Sequence, residues 1–213
     1  MFGSLATPST GRRHQARFER LLRWLGIALA VLLLTGCAGR VVPPEPSLIE
    51  RPVDIYLLDH GRHASLVLPR ESGGVVRYSY GDWRWYVEER QHALSGAAAM
   101  LWPTDAGIGR AVHPDIATPE QFHRLAPEGL TDVYPLEADM GRVLALKRRL
   151  DAHFERADME PVPSEQYGLE FVPYPRGYSA AHQSNLVVAQ WLRELDFEVR
   201  GSPWLSNWRV TPR

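Results

Sequence analysis

Cysteine is almost missing from this chain: Cys37 stands alone in 213 residues. A single cysteine excludes an internal disulfide framework and any zinc site built on paired thiolates. Lysine is as scarce, with only Lys147, so positive charge is carried by arginine. We read that bias as genome composition. No glycine-rich phosphate loop, dinucleotide fingerprint, G-x-S-x-G elbow or paired-carboxylate motif is present, so the sequence calls for no cofactor. The longest apolar run, residues 24–36, falls short of the roughly 20 residues that a transmembrane helix needs.

What is present is ordinary globular composition, 45% hydrophobic and 23% charged. The net charge of −1 hides an asymmetry. Residues 1–36 carry Arg12, Arg13, Arg17, Arg20 and Arg23 against one acid, Glu19. The remainder holds 19 basic and 24 acidic residues. No basic stripe follows residue 37, and a mildly acidic domain is a poor partner for nucleic acid.

The run WLGIALAVLLLTG over residues 24–36 has Arg23 before it and Cys37 after it. Five arginines ahead of a short apolar stretch match a secretory signal peptide. The ending Leu34-Thr35-Gly36-Cys37 resembles the lipobox of bacterial lipoproteins. That resemblance implies a lipid on the Cys37 thiol, cleavage before Cys37 and acylation of the new amine. Several acyl chains anchor stably where one does not. Ala38, in place of aspartate, implies by the same resemblance the outer membrane, with the domain facing the periplasm.

Three parts are expected: a signal segment over 1–36, the lipidated cysteine with a Pro-rich tether over 37–50, and one globular domain over 51–213. The prolines of AGRVVPPEPSLIE stiffen the tether and keep it out of regular structure. Val53–Leu58, His63–Leu68 and Val75–Tyr80 read as strands separated by turns at 59–62 and 71–74, an antiparallel meander. Thr118-Pro119-Glu120 is a helix start. Val143, Leu146, Leu150 and Phe154 share one helical face over about 138–156. Leu186 to Leu195 marks a buried helix. Trp204 and Trp208 predict a packed tail. The class is α+β, an antiparallel sheet packed with helices.

Two places carry candidate chemistry: His60-Gly61-Arg62-His63 between two strands, and Ser184-Asn185 at the front of the late helix. The stretches DHGRHASLVLP, YGDWRWY and SNLVVAQWLRELDFEVRG resemble an uncharacterised bacterial family first noted beside urease gene clusters. That family shows a His-containing turn, a Gly-Asp-aromatic motif and a Cys-Asn pair opening a late helix. The layout is in turn similar to circularly permuted papain-like enzymes, the NlpC-related amidases and the lecithin retinol acyltransferase type. The resemblance implies a permuted papain-like fold, His63 as base, residue 184 as nucleophile and Asp82 as a group orienting the histidine. If active, the protein would be a hydrolase or acyltransferase, with a peptidoglycan-related ligand or an envelope protein as partner.

This chain has serine at 184 where the pattern has cysteine. A hydroxyl is far less acidic than a thiol, so a site built for thiolate does not readily activate it. Loss of catalysis is therefore expected, with an activated serine as the alternative. Read without the resemblance, Ser184 is a helix N-cap and Asp82 a turn residue. A zinc site from His60, His63 and His182 has weak spacing, and no metal is expected. An enzyme needs Ser184 and His63 together in an open cleft. A binding module would bury them, or expose the aromatics around Trp83 and Trp85.

Overall fold

The computed structural model describes residues 38–90 and 102–211, together with Arg20, Arg23, Trp24 and Gly26. The chain divides into two compact units, Met1–Cys37 and Ala38–Arg213. In the first, the four described residues are helical. Cys37, the expected lipidation site, and most of the apolar run lie outside the described residues. No helix among the described residues is long and apolar enough to cross a membrane.

The second unit is an α+β fold. Its main sheet has seven strands, all paired antiparallel, in the order β6-β2-β3-β4-β5-β8-β7. Strands β2 (Pro52–Asp59), β3 (Ala64–Pro69) and β4 (Val75–Asp82) form the meander read from their apolar runs. Strands β5 (Thr104–His113) and β8 (Leu169–Tyr178) extend it on one side, and short β7 (Val162–Ser164) closes that edge. Strand β6 (Asp132–Asp139) forms the other edge, beside β2.

Alternation along the strands divides the side chains between two faces. One face carries Leu66, Tyr78, Tyr80, Ile108 and Val172 into the main core. Two helices cover it. Helix α2 (Met140–Glu155) buries Val143, Leu146 and Leu150, and Asp139 caps it by accepting from the Gly141 and Arg142 amides. Helix α3 (Ser184–Glu194) buries Val187, Val188, Trp191 and Leu192. The opposite face holds two smaller clusters. One joins Leu58 and Val67 to Phe122 and Leu125; the other joins Phe171 and Leu169 to Tyr86 and Tyr167. A one-turn helix, α1 (Trp83–Tyr86), and a 3-10 turn at Pro119–Arg124 supply this side.

The structure departs from the expected tether. Gly39–Val42 forms a strand, β1, at the centre of a second sheet, between β9 (Glu198–Arg200) and β10 (Trp208–Val210). Val41 is fully buried. The prolines that suggested a linker begin only at Pro43, after this strand has ended. The regular domain therefore starts immediately after Cys37, not near residue 51.

Candidate functional site

The turn between β2 and β3 delivers two histidines to the face opposite the helices. Asp59 fixes the turn by accepting from the Gly61 amide at 2.8 Å, and Gly61 takes a φ of 83°, in the left-handed region that favours glycine. His60 follows. Its Nδ1 lies 2.8 Å from the Gly129 carbonyl and its Nε2 lies 2.8 Å from Ser65 Oγ. A carbonyl can only accept, so Nδ1 carries the proton and Nε2 accepts from the serine hydroxyl. The His63 ring stacks on His60, with centroids 4.5 Å apart and planes 14° from parallel. Tyr86 and Tyr167 meet His63 edge-on at 5.7 and 5.9 Å.

Two charged groups complete the cluster. Arg77, in mid-strand on β4, has no exposed side-chain surface. Its guanidinium donates to Ser65 Oγ at 3.0 Å, to the Leu125 carbonyl at 2.6 Å and to the Tyr167 carbonyl at 3.2 Å. It also pairs with the Glu128 carboxylate. Glu128 Oε1 lies 3.5 Å from His60 Nδ1 and 3.4 Å from His63 Nε2. The His63 contact is long and poorly aligned, so that buried nitrogen has at best a weak hydrogen bond to the carboxylate.

The electrostatics follow from burial. Desolvation, with Arg77 and His63 as like charges, lowers the His60 pKa to about 3. Desolvation lowers His63 too, although Glu128 pulls the other way. For Glu128, desolvation raises the pKa, but His63 and Arg77 together outweigh it and hold the carboxyl down at about 2. At neutral pH the cluster is an Arg77–Glu128 ion pair flanked by two neutral imidazoles.

The ligand-type atoms of His60, His63 and Glu128 all lie within 4.8 Å of one another, as a divalent cation would require. The geometry opposes that use. An imidazole lone pair lies in the ring plane, and two nearly parallel stacked rings do not aim at one shared point. The Arg77 charge already occupies the carboxylate. A divalent ion about 4 Å from a guanidinium meets a repulsion of about 8 kcal/mol at an effective dielectric constant of about 20.

The residues singled out from the sequence do not assemble as one triad. Ser184 is the first residue of α3 and is buried. It is not the cap: Gln183 is, its side chain accepting from the Asn185 amide at 2.7 Å. Ser184 Oγ donates to Gln183 Oε1 at 3.4 Å; it also meets the Tyr178 hydroxyl, which burial pushes up to about 12 although its hydrogen bond with Ser184 acts the other way. No hydrogen bond joins Ser184 to His63 among the described residues. The reason is strand alternation: Ala64 faces the core under α3, so its neighbour His63 turns to the other face. Asn185 comes nearer, donating to the Arg62 carbonyl at 3.1 Å. Asp82 caps α1 by accepting from the Trp85 amide at 2.8 Å, and it accepts from the Thr104 hydroxyl. His182 Nδ1 lies 2.8 Å from the Tyr80 hydroxyl, on the helix-covered face, and does not join His60 and His63. Trp83 and Trp85 are half-buried against Tyr86 and Phe171.

Arg77 and Glu128 were not readable as site residues. Arg77 sits in VVRYSY, where alternation gives no warning of a buried cation, and Glu128 sits in a Pro-Glu-Gly turn. The one available signal was the arginine itself, a charge inside an otherwise apolar run. Two surface hollows, of about 460 and 430 Å³, are bordered by Arg110, Pro163 and Glu170 and by Trp83, Met159 and Tyr174 respectively. Neither is bordered by His63 or Ser184.

No protein-family model, curated protein or solved structure matches the chain.

Proposed function

We propose that this chain is a lipid-anchored cell-envelope lipoprotein whose domain serves a structural or partner-binding role and not a catalytic one. In this reading the domain descends from the permuted papain-like layout, with α3 and its Ser184-Asn185 pair standing where a nucleophile once opened the helix. The anchoring half of the reading rests on Leu34-Thr35-Gly36-Cys37 and the arginines before it. The non-catalytic half rests on one observation: Ser184 is 3% exposed, with its hydroxyl turned to Gln183 and Tyr178. A serine nucleophile requires a base within roughly 2.6–3.2 Å and room for an acyl carbonyl. A helix N-terminus alone favours an anion but does not remove the proton.

Two experiments test the two halves. A fluorophosphonate probe is expected to leave the protein unlabelled, and Ser184→Ala to change nothing in that assay. Labelling that disappears in Ser184→Ala would establish an activated serine. Separately, Cys37→Ser is expected to abolish acylation, seen by mass spectrometry, and to leave an uncut precursor. A Cys37→Ser chain cleaved and membrane-bound like the wild type would remove the anchor from the proposal.

A further inference from the structure

The small sheet carries an unusual row of charge. Strand register pairs Arg40 with Arg209 on one side and with Arg200 on the other. Directly paired residues point to the same face of a sheet, so three arginines stand side by side across β10, β1 and β9. All three are exposed, Arg200 by 61% of its side chain. The next register line holds Val41, Val199 and Val210, which turn inward to the core. The pattern is therefore one basic face and one apolar face on the same three strands.

Like charges set opposite each other on paired strands destabilise the pairing. Here only Arg200 is compensated, by Glu198 two residues away on its own strand. Among the described residues, no ion pair engages Arg40 or Arg209. A local cost with no structural return is expected where a surface serves a ligand.

We infer that this arginine row binds the phosphate groups of phospholipid headgroups and forms a second, electrostatic contact with the membrane. The inference rests on the anchor reading above. Arg40 lies three residues after Cys37, and three extended residues reach at most about 11 Å. A lipid on Cys37 would thus hold this face at the bilayer surface, where headgroup phosphates are the nearest anions. The chemistry fits as well: a guanidinium presents a planar fork of donors that engages phosphate oxygens in pairs, which a lysine ammonium does not. A basic patch beside a lipid adds electrostatic attraction to anionic headgroups and orients the domain on the surface.

The test uses the full chain with Cys37→Ser, which cannot be acylated, and vesicles of phosphatidylcholine with or without phosphatidylglycerol. The arginines before residue 37 are common to every variant, so the difference between variants is the readout. Replacing Arg40, Arg200 and Arg209 together by glutamine is expected to weaken binding to the anionic vesicles by about 100-fold, about fivefold for each arginine. Glu198→Gln, which removes the compensating acid, is expected to tighten it about fivefold. High salt should erase both differences by screening. The Glu198→Gln variant keeps the test decisive if the triple variant misfolds. Unchanged binding in both variants overturns the inference. If Cys37 is acylated in cells yet these variants bind alike, the inference fails alone. If Cys37 carries no lipid while the variants differ as stated, the anchor reading fails alone.

Discussion

Arg77→Met is expected to destabilise the domain by about 3–5 kcal/mol, because it leaves the Glu128 carboxylate buried without its partner. For a domain of this size that is a fall in melting temperature of about 10 °C. The arginine also donates to the Leu125 and Tyr167 carbonyls, so two segments lose a shared donor at once. The double variant Arg77→Met with Glu128→Gln is expected to recover part of the loss, since the stranded charge goes with it. A single variant that melts with the wild type would mean that Glu128 simply swings out to water. In that case the segment around Ala126–Gly129 would be held by its own apolar contacts, Leu125 above all.

The second large effect is acid lability. In the unfolded chain His60 has its ordinary pKa of 6.5, while in the folded domain it is held at about 3. Below pH 6.5 the unfolded state binds the proton that the folded state refuses, so stability falls as pH falls. The slope is about 1.4 kcal/mol per pH unit for one such group, or about 2 kcal/mol lost by pH 5. His63 is lowered in the same direction and adds to the slope. Glu128 contributes below its unfolded value of 4.5, where its folded carboxyl stays ionised down to about 2 and again resists protonation. Denaturant midpoints measured from pH 7 to pH 4 should decline throughout that range. His60→Asn is expected to flatten the upper part of the decline, whatever its effect at pH 7. A flat profile in the wild type would show that the imidazoles gain protons without opening the cluster.

The sequence carried the parts of the fold that local chemistry determines. β2, β3 and β4 are apolar runs between turn residues, and α2 and α3 have clear helical periodicity with capping side chains ahead of them. The strands it hid are those whose reasons are tertiary. β5 contains Gly107 and Gly109, and glycine ordinarily weakens a strand. A Cβ at Gly109 would lie 2.7 Å from the Phe171 ring, so the glycine is there to let β8 pack. β6 contains Pro135, which cannot donate to a ladder, yet β6 lies at the edge of the sheet, where a missing amide costs little. β1 has only four residues and depends on partners at the far end of the chain. The site divides in the same way. His60 and His63 stood out because two histidines bracket a tight turn. Which face they use, and that Arg77 and Glu128 meet them there, depends on strand alternation and on a loop that no local signal places.

The position of β1 has a consequence for the order of events in biosynthesis. Its partners, β9 and β10, are the last strands of the described domain, separated from it by the whole seven-stranded sheet. As the chain emerges from its amino end, the main sheet and its helices can close while β1 still waits. The strand therefore stays unpaired until β9 has emerged, and one of its edges stays open until Val210 has been delivered. Arrival of β10 locks it between two neighbours. Truncation just before Trp208 would leave β1 with β9 alone and one edge of the small sheet permanently open.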